Sequence, residues 1–206
     1  YDEREAKNIS LTQVNVGALK TKLDTLRAAT DATHFDFQGL LYVNLKNSSP
    51  ASPAAVRLTN GASLPSNATT GAGFSVATNG GLYVQGSYNT DALKDSSGNT
   101  IAGVDGTPRA VPAMLMADAI TVLSSNWVDN TSGASIPLST RVAALSTAEA
   151  ADGNTMKVNA GLLTGNQASD SNGTSGGAQN LVRYLEDWSG KNITFNGSLG
   201  RLFSST

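Results

Sequence analysis

The residues of this chain that could do acid–base chemistry are a few carboxylates beside apolar or aromatic positions. Asp118 is the most unusual, because it interrupts the apolar run 113–122. Enzymes that cleave polysaccharides use two carboxylates, with a basic or aromatic platform for the sugar. The candidate pairs are Asp118 with Asp129 and Glu186 with Asp187. Asp118 could instead bind Ca²⁺ or accept hydrogen bonds from backbone N–H groups of a buried turn, and the sequence favours the turn cap.

Nucleophilic catalysis is not indicated. His34 is the single histidine, and no G-x-S-x-G elbow is present to supply an activated serine. We expect His34 to be a structural residue at the start of a strand. The sequence therefore assigns no catalytic residue, no cofactor-binding residue and no metal ligand, and we predict that the chain is not an enzyme.

Four aromatic residues could stack on sugar rings. Aromatic side chains at strand ends and on helix faces also pack in cores and at their rims, which is the commoner use. The candidate glycan contacts are Trp127, Trp188, Tyr83 and Tyr88.

Calcium is the one cofactor that the sequence leaves open. The segments 95–99 and 170–173 are rich in oxygen ligands and contain glycine. Neither completes a D-x-[DN]-x-[DN]-G loop with a distal glutamate, so we interpret both as solvated turns.

The composition narrows the class of protein. The chain has 206 residues, of which 15% are charged, with a net charge of -2 and no cysteine. No basic stripe is present, which argues against a nucleic-acid partner. Without cysteine there is no disulfide and no thiolate metal ligand. No apolar stretch approaches the length of a transmembrane helix. We predict a single β-rich surface domain over 1–206, processed or excised from a longer protein.

The apolar pattern predicts strands that end in Gly, Ser or Asn turns. The clearest is 82–89, and looser copies lie at 119–127, 160–166 and 193–199. Recurrence of such strands is typical of coiled or stacked β architectures. The run 113–122 fits either a buried strand or a short core helix. The strands 192–195 and 199–203 form either a hairpin or one corner of a solenoid.

Two helices are also predicted. Asn15 is a plausible N-cap for a helix with Val16, Leu19, Leu23 and Leu26 on one face. A second helix is expected over 178–188, where Leu181, Leu185 and Trp188 share a face. The predicted fold class is mainly β: a solenoid-like or stacked-sheet domain with one N-terminal and one C-terminal covering helix.

Seven short sequence blocks follow one another along the chain, at 1–5, 82–89, 117–127, 163–166, 176–177, 183–191 and 196–199. Together they resemble the C-terminal region of large bacterial surface proteins linked to type IV pilus assembly through a minor-pilin-like N-terminal segment. They do not include the pilin-like segment itself. The resemblance implies a structural domain at the cell surface or on a pilus, and it brings no catalytic residues.

These observations together predict an extracellular, structural or adhesive domain that is pilus-associated or filament-forming and non-catalytic. The expected partners are further copies of the chain, other pilus or surface subunits, or a glycan. Free strand edges would allow chain-to-chain strand addition. The alternatives are a polysaccharide-active β-helix enzyme, for which Asp118 is the candidate, and a carbohydrate-binding module.

Overall fold

The protein is described by a computed structural model. The described residues are 1–28, 37–46, 48–49, 53–66, 72–95, 97–165 and 181–202. They form a mainly β domain with two sheets of five parallel strands. The first half of the chain contains β1 (Ser10–Asn15), α1 (Val16–Ala28), β2 (Leu40–Val43), β3 (Ala54–Thr59), β4 (Phe74–Thr78), β5 (Gly81–Gln85) and β6 (Ala113–Met116). The second half contains β7 (Ile120–Leu123), α2 (Thr147–Ala151), β8 (Thr155–Val158), β9 (Gly161–Thr164), β10 (Arg183–Tyr184), β11 (Asn192–Phe195) and β12 (Leu199–Arg201).

Most consecutive strands lie in different sheets. Sheet A has the order β1-β3-β5-β7-β10, and sheet B has the order β12-β9-β6-β4-β2. Strands β8 and β11 form a third, two-stranded parallel sheet. A bridge between Tyr88 and Val158 extends this third side back to the segment after β5. Each five-stranded sheet therefore takes one strand from each successive stretch of chain. Such a stretch, with one strand in sheet A and one in sheet B, is called a layer below.

The core lies between the sheets, because alternate residues of each strand point to opposite faces. In sheet A, Val56, Leu82 and Ile120 are aligned across three strands, and all three are fully buried. In sheet B, Val76 and Leu115 are aligned in the same way. Alignment of β-branched and leucine side chains at equal depth favours one register, since a slip of one residue would expose the whole set.

Close layer spacing depends on glycine where the chain enters sheet B. A Cβ atom on Gly73 would lie 2.0 Å from the carbonyl oxygen of Pro112 in the next layer. Gly39, one layer earlier, has a φ of +83°, and its Cβ would lie 2.2 Å from the oxygen of Gly73. The glycines let the backbones of three layers meet at this corner.

The N-terminal helix is confirmed. Asn15 Oδ1 accepts a hydrogen bond of 3.0 Å from the Ala18 backbone N–H, which is the capping interaction that its sequence indicates. Val16 and Leu23 are buried, so α1 packs its apolar side on the core.

The predicted C-terminal helix is wrong. Residues 181–188 contain β10 and no helix, while 178–180 lie outside the described residues. Tyr184 pairs in parallel with Val122 and packs against the core, and Leu185 packs on the opposite face of sheet A. Pairing with β7 buries side chains on both faces of the segment, and a helix would give up those strand hydrogen bonds.

Two open interpretations are decided by the topology. The run 113–122 is neither one strand nor a helix: it contains β6 and β7, separated by the turn at Asp118. Strands β11 and β12 belong to different sheets, so they form a corner and not a hairpin.

Candidate functional site

A polar cleft of about 850 Å³ lies beside the ends of the sheet A strands. Its walls come from the turns that follow β3, β5 and β7, together with α2 and β8. Strands that end in Gly, Ser and Asn place small polar side chains at the same height in successive layers. These turns therefore form a continuous polar surface, including Asn60, Ser87, Ser125 and Asn126.

Glu149 is the buried carboxylate of this cleft. Its Oε1 accepts hydrogen bonds from the Ser87 backbone N–H at 3.1 Å and the Ser87 hydroxyl at 2.5 Å. Its Oε2 accepts from the Ser125 hydroxyl at 2.6 Å and from the Ser146 backbone N–H and hydroxyl at 2.8 and 2.9 Å. Ser146 and Glu149 form a capping box at the start of α2. One carboxylate thus joins α2 to two neighbouring layers.

Burial alone would raise the pKa of Glu149, but the hydrogen bonds from the serine hydroxyls and the Ser146 N–H outweigh it. The pKa therefore lies below the ordinary value of 4.5, and the side chain is a carboxylate at neutral pH. A general acid needs a raised pKa, so Glu149 is suited to holding the turns together rather than to donating a proton.

Glu186 repeats this arrangement one layer later. Its two oxygens accept from the Ser124 backbone N–H at 2.7 Å and the Ser124 hydroxyl at 2.5 Å. The bonds Ser87–Glu149 and Ser124–Glu186 both span 62 residues of chain. The two layers also meet through the side chains of Asn159 and Asn196, which lie 37 residues apart. Both buried glutamates therefore act as clamps between layers.

A second concave region of about 400 Å³ lies on the outer face of sheet A and contains Tyr83 and Trp127. Tyr83 is buried, and its hydroxyl donates a hydrogen bond to Asp2 Oδ2. Burial raises the pKa of Tyr83, and the nearby Asp2 carboxylate raises it further. The ring of Tyr83 is part of a small outer core with Ala55, Leu123 and Leu185. It offers no free face to a sugar.

Trp127 is held by polar contacts on the rim of this groove. The Arg141 guanidinium lies 3.8 Å from the centre of its ring, and its Nε1 donates to Asp129 Oδ1 at 2.9 Å. Arg57 donates to both oxygens of Asp129, at 2.7 and 3.0 Å. Partial burial would raise the pKa of Asp129, but the hydrogen bonds from Arg57 and Trp127 lower it. One face of Trp127 is therefore covered by Arg141.

The other two aromatic candidates lie elsewhere. Tyr88 is 1% exposed and lies in the core, against Gly61, and its hydroxyl has no hydrogen-bond partner among the described residues. Trp188 is partly buried, and its ring lies edge-on to that of Tyr184 with the centres 6.3 Å apart. Tyr184 and Trp188 border a shallow pocket of about 530 Å³. The four candidates do not form one platform.

The members of the two candidate acid pairs differ in their hydrogen-bond partners. Asp118 lies in the turn between β6 and β7, where its N–H donates to the Gly80 carbonyl and its carbonyl accepts from Gly165 N–H. Asp118 borders a cavity of about 190 Å³ that does not include Asp129. Glu186 is bonded to Ser124, whereas Asp187 accepts from Ser189. Each acid therefore has its own partners.

Of the two calcium candidates, the turn at Asp95 lies in the part of the chain that the structure describes. Asp95 Oδ1 accepts from the backbone N–H groups of Ser97 and Asn99, at 2.9 and 2.8 Å, which makes it the cap of its own turn. The segment 170–173 and His34 lie outside the described residues. Across the described part of the chain, no three His, Cys, Asp or Glu side chains are grouped to hold a metal ion.

Within the described ranges, no helix has the length and apolar character needed to cross a membrane.

Glu149 and its serine partners were not among the candidate residues indicated by the sequence. The local motif Ser146-x-x-Glu149 was available as a helix-start signal. Its links to Ser87 and Ser125 join layers that are distant in the chain, and no local pattern indicates them.

Comparison with known proteins gives no match: no family model, no curated protein and no solved structure is similar to this chain.

Proposed function

We propose that this chain is a non-catalytic structural and adhesive domain of the bacterial cell surface, and that its stacked layers are successive turns of a β-solenoid. Among the described strands, consecutive strands lie in different sheets, and all pairings between them are parallel. A coil of this kind is a stiff rod whose length grows with the number of turns. The proposed location is extracellular.

The observation that carries the proposal is the use of the buried acidic groups. Asp2, Glu149 and Glu186 are the three buried carboxylates among the described residues. Each accepts hydrogen bonds from distant parts of the chain, from Tyr83, Ser87 and Ser124 respectively. Carboxylates that connect layers stabilise a scaffold, since their lone pairs are taken up by serine, tyrosine and backbone donors.

A role on a pilus or in a filament is the more specific part of the proposal. It is supported by the sequence blocks that resemble pilus-linked surface proteins and by the strand edges at the ends of the sheets. Such edges can add a strand from another chain.

Labelling of intact cells of the source bacterium with an antibody against this domain tests the proposal. We expect label on the envelope or on pili before permeabilisation. Label that appears only after permeabilisation would contradict an extracellular role.

A release assay on surface polysaccharides tests whether the chain is an enzyme. Cleavage that is lost in a folded Asp118→Ala variant and kept in Asp152→Asn would favour the enzyme alternative.

Carbohydrate binding is a second candidate, favoured by one pocket. Tyr184 and Trp188 border an open pocket that also contains Ser139, Asp187 and Ser189, whose oxygens can bond sugar hydroxyls. A glycan array with Trp188→Ala and the matched control Trp127→Ala tests it. Loss of a signal in Trp188→Ala alone would support binding there, and equal signals in both variants would exclude this pocket.

A further inference from the structure

The polar cleft beside the ends of the sheet A strands contains hydrogen-bonding groups that the fold leaves unused. All the residues that line it lie in the described part of the chain. Among them are the carboxamide of Asn60, the hydroxyl of Thr90 and the carboxylate of Asp91. None of these three groups makes a hydrogen bond or an ion pair within the described residues, and all three residues are exposed. They can therefore bind a ligand that enters from solvent.

Two further acceptors of the cleft are held in fixed orientations. Asn126 Nδ2 donates to the Leu145 carbonyl at 2.9 Å, and Gln85 Nε2 donates to the Ser125 carbonyl at 3.2 Å. The oxygen of a planar carboxamide points in a different direction from its nitrogen, and in both residues this oxygen has no partner among the described residues. Such fixed acceptors lose little conformational freedom when a ligand binds.

The clamp at Glu149 keeps the cleft formed without a ligand. It joins the turns that follow β5 and β7 to α2, through the hydroxyls of Ser87, Ser125 and Ser146. These groups are occupied by one another, so they shape the wall and leave recognition to the free side chains. Ligand pockets usually enclose roughly 300–1,000 Å³. The cleft, at about 850 Å³, has room for a ligand of several rings.

The lining of the cleft decides which class of ligand fits. Three carboxylates, those of Asp91, Glu149 and Asp152, stand against one cation, Lys157, which is paired with Asp152. This excess of negative charge repels phosphate and carboxylate groups. No lining residue is aromatic and the purely apolar side chains are alanines, so an apolar ligand would gain little. The hydroxyl groups of a neutral sugar both donate and accept hydrogen bonds, which matches a mixed set of carboxamides, a hydroxyl and a carboxylate.

We propose that the polar cleft binds a neutral glycan, a chain of sugar residues without acidic groups. The inference rests on the proposed adhesive function and names the ligand class and the site for it. This site is distinct from the pocket at Tyr184 and Trp188, because it recognises the ligand by hydrogen bonds and not by stacking. Without an aromatic platform, the dissociation constant of a single site should be on the order of 1 mM. Adhesion then depends on several copies that bind together.

An array of neutral glycans and of glycans that contain uronic acids tests the proposal. The chain is presented in many copies on fluorescent beads, since clustering compensates for a weak single site. We expect the beads to bind neutral glycans and to bind the acidic ones less or not at all. The strongest neutral ligand is then titrated into the single chain, and chemical-shift changes in NMR spectra give its dissociation constant.

Asn60→Gly is the decisive variant, because it removes the carboxamide and glycine tolerates the φ of +54° at this position. It should weaken binding of the titrated ligand by about fivefold or more. Asn154→Gly is the matched control: Asn154 is also exposed, has a φ of +55° and does not line the cleft. Its dissociation constant should equal that of the native chain.

Circular dichroism checks that the variants fold, and Asp91→Ala replaces Asn60→Gly if the latter does not. Equal affinities of the cleft variant and Asn154→Gly would overturn the proposal. So would a stronger response to acidic than to neutral glycans, a loss of binding in Trp188→Ala alone, or a native chain that binds no glycan on the array. A chain that binds no glycan would leave the surface role intact, since cell labelling tests that role separately.

Discussion

Replacement of Glu149 by alanine is the sharpest perturbation of the clamp between layers. It removes the acceptor of two backbone N–H groups and three hydroxyls. Hydrogen bonds to a charged group each contribute about 1.5–3 kcal/mol, but the hydroxyls can rotate and cleft water can reach part of the site. Two costs remain: the two N–H groups lose their acceptor, and the capping box is lost. We therefore expect a loss of about 3 kcal/mol in the free energy of unfolding.

Urea denaturation followed by tryptophan fluorescence measures this loss. For a chain of this length, about 3 kcal/mol corresponds to a fall of roughly 6–12 °C in Tm. The control is Asp152→Asn, at the C-terminal end of the same helix. The Asp152–Lys157 ion pair is 2.5 Å long, but the two side chains are 56% and 40% exposed, so its loss should cost less than about 0.5 kcal/mol. Equal stability of the two variants would refute the clamp.

The pH dependence of the same clamp has a defined sign. Because the pKa of Glu149 is lowered by folding, its contribution to stability is complete above its ordinary pKa and is lost as the pH falls through the lowered value. The difference in unfolding free energy between the native chain and Glu149→Gln should therefore be largest near neutral pH and shrink in acid. A difference that stays constant down to strongly acidic pH would contradict this.

Three further predictions concern the packing. Tyr88→Phe removes a buried hydroxyl that has no partner among the described residues, so the free energy of unfolding should stay equal or rise by up to about 1 kcal/mol. Tyr83→Phe breaks the hydrogen bond to Asp2, so the free energy of unfolding should fall by about 1–3 kcal/mol. The reverse order in urea denaturation would be inconsistent with the two hydroxyl environments. Gly73→Ala should lower the free energy of unfolding by at least about 2 kcal/mol, because the added Cβ would lie 2.0 Å from a carbonyl oxygen. Gly161→Ala is the control and should lower it by less than about 1 kcal/mol, because the nearest atom to its Cβ lies 3.7 Å away. Equal melting temperatures of the two variants would count against the close approach of layers. Burial raises the pKa of Tyr83 and of Tyr88, so alkaline absorbance titration should leave at least these two hydroxyls protonated until the chain unfolds, and complete ionisation of all tyrosines in the folded chain would disprove it.

Local signals in the sequence were sufficient for some elements. The helix α1 follows from Asn15 and the apolar spacing after it, all within one stretch of chain. The strand β5 was expected from the segment 82–89, because its apolar residues alternate from Leu82 and run into a turn at Gly86. In these segments the local preference and the final environment agree, so a reading of neighbours alone is adequate.

The sequence-based predictions that are wrong or incomplete concern segments whose structure depends on contacts with residues distant in the chain. Leu181, Leu185 and Trp188 have helical spacing, yet the segment joins sheet A because β7 presents a free edge beside it. The candidate site shows the same limit. The motif Ser146-x-x-Glu149 is local, but Ser87 lies 62 residues from Glu149 and Ser125 lies 24 residues from it. Which serine faces which glutamate depends on the stacking of layers, and no period in the sequence reports it.

The alignment of strands in sheet B is tested most directly by engineered disulfides, because the chain contains no cysteine of its own. Ala77 and Met116 are aligned on neighbouring parallel strands, about 4.8 Å apart and within disulfide reach. Leu163 is aligned with Met116 on the next strand, so it lies about 10 Å from Ala77 and out of reach. In the folded chain, the double variant Ala77→Cys/Met116→Cys should oxidise to an intramolecular disulfide, and Ala77→Cys/Leu163→Cys should not. Formation of the second disulfide without the first would contradict the stacked parallel layers.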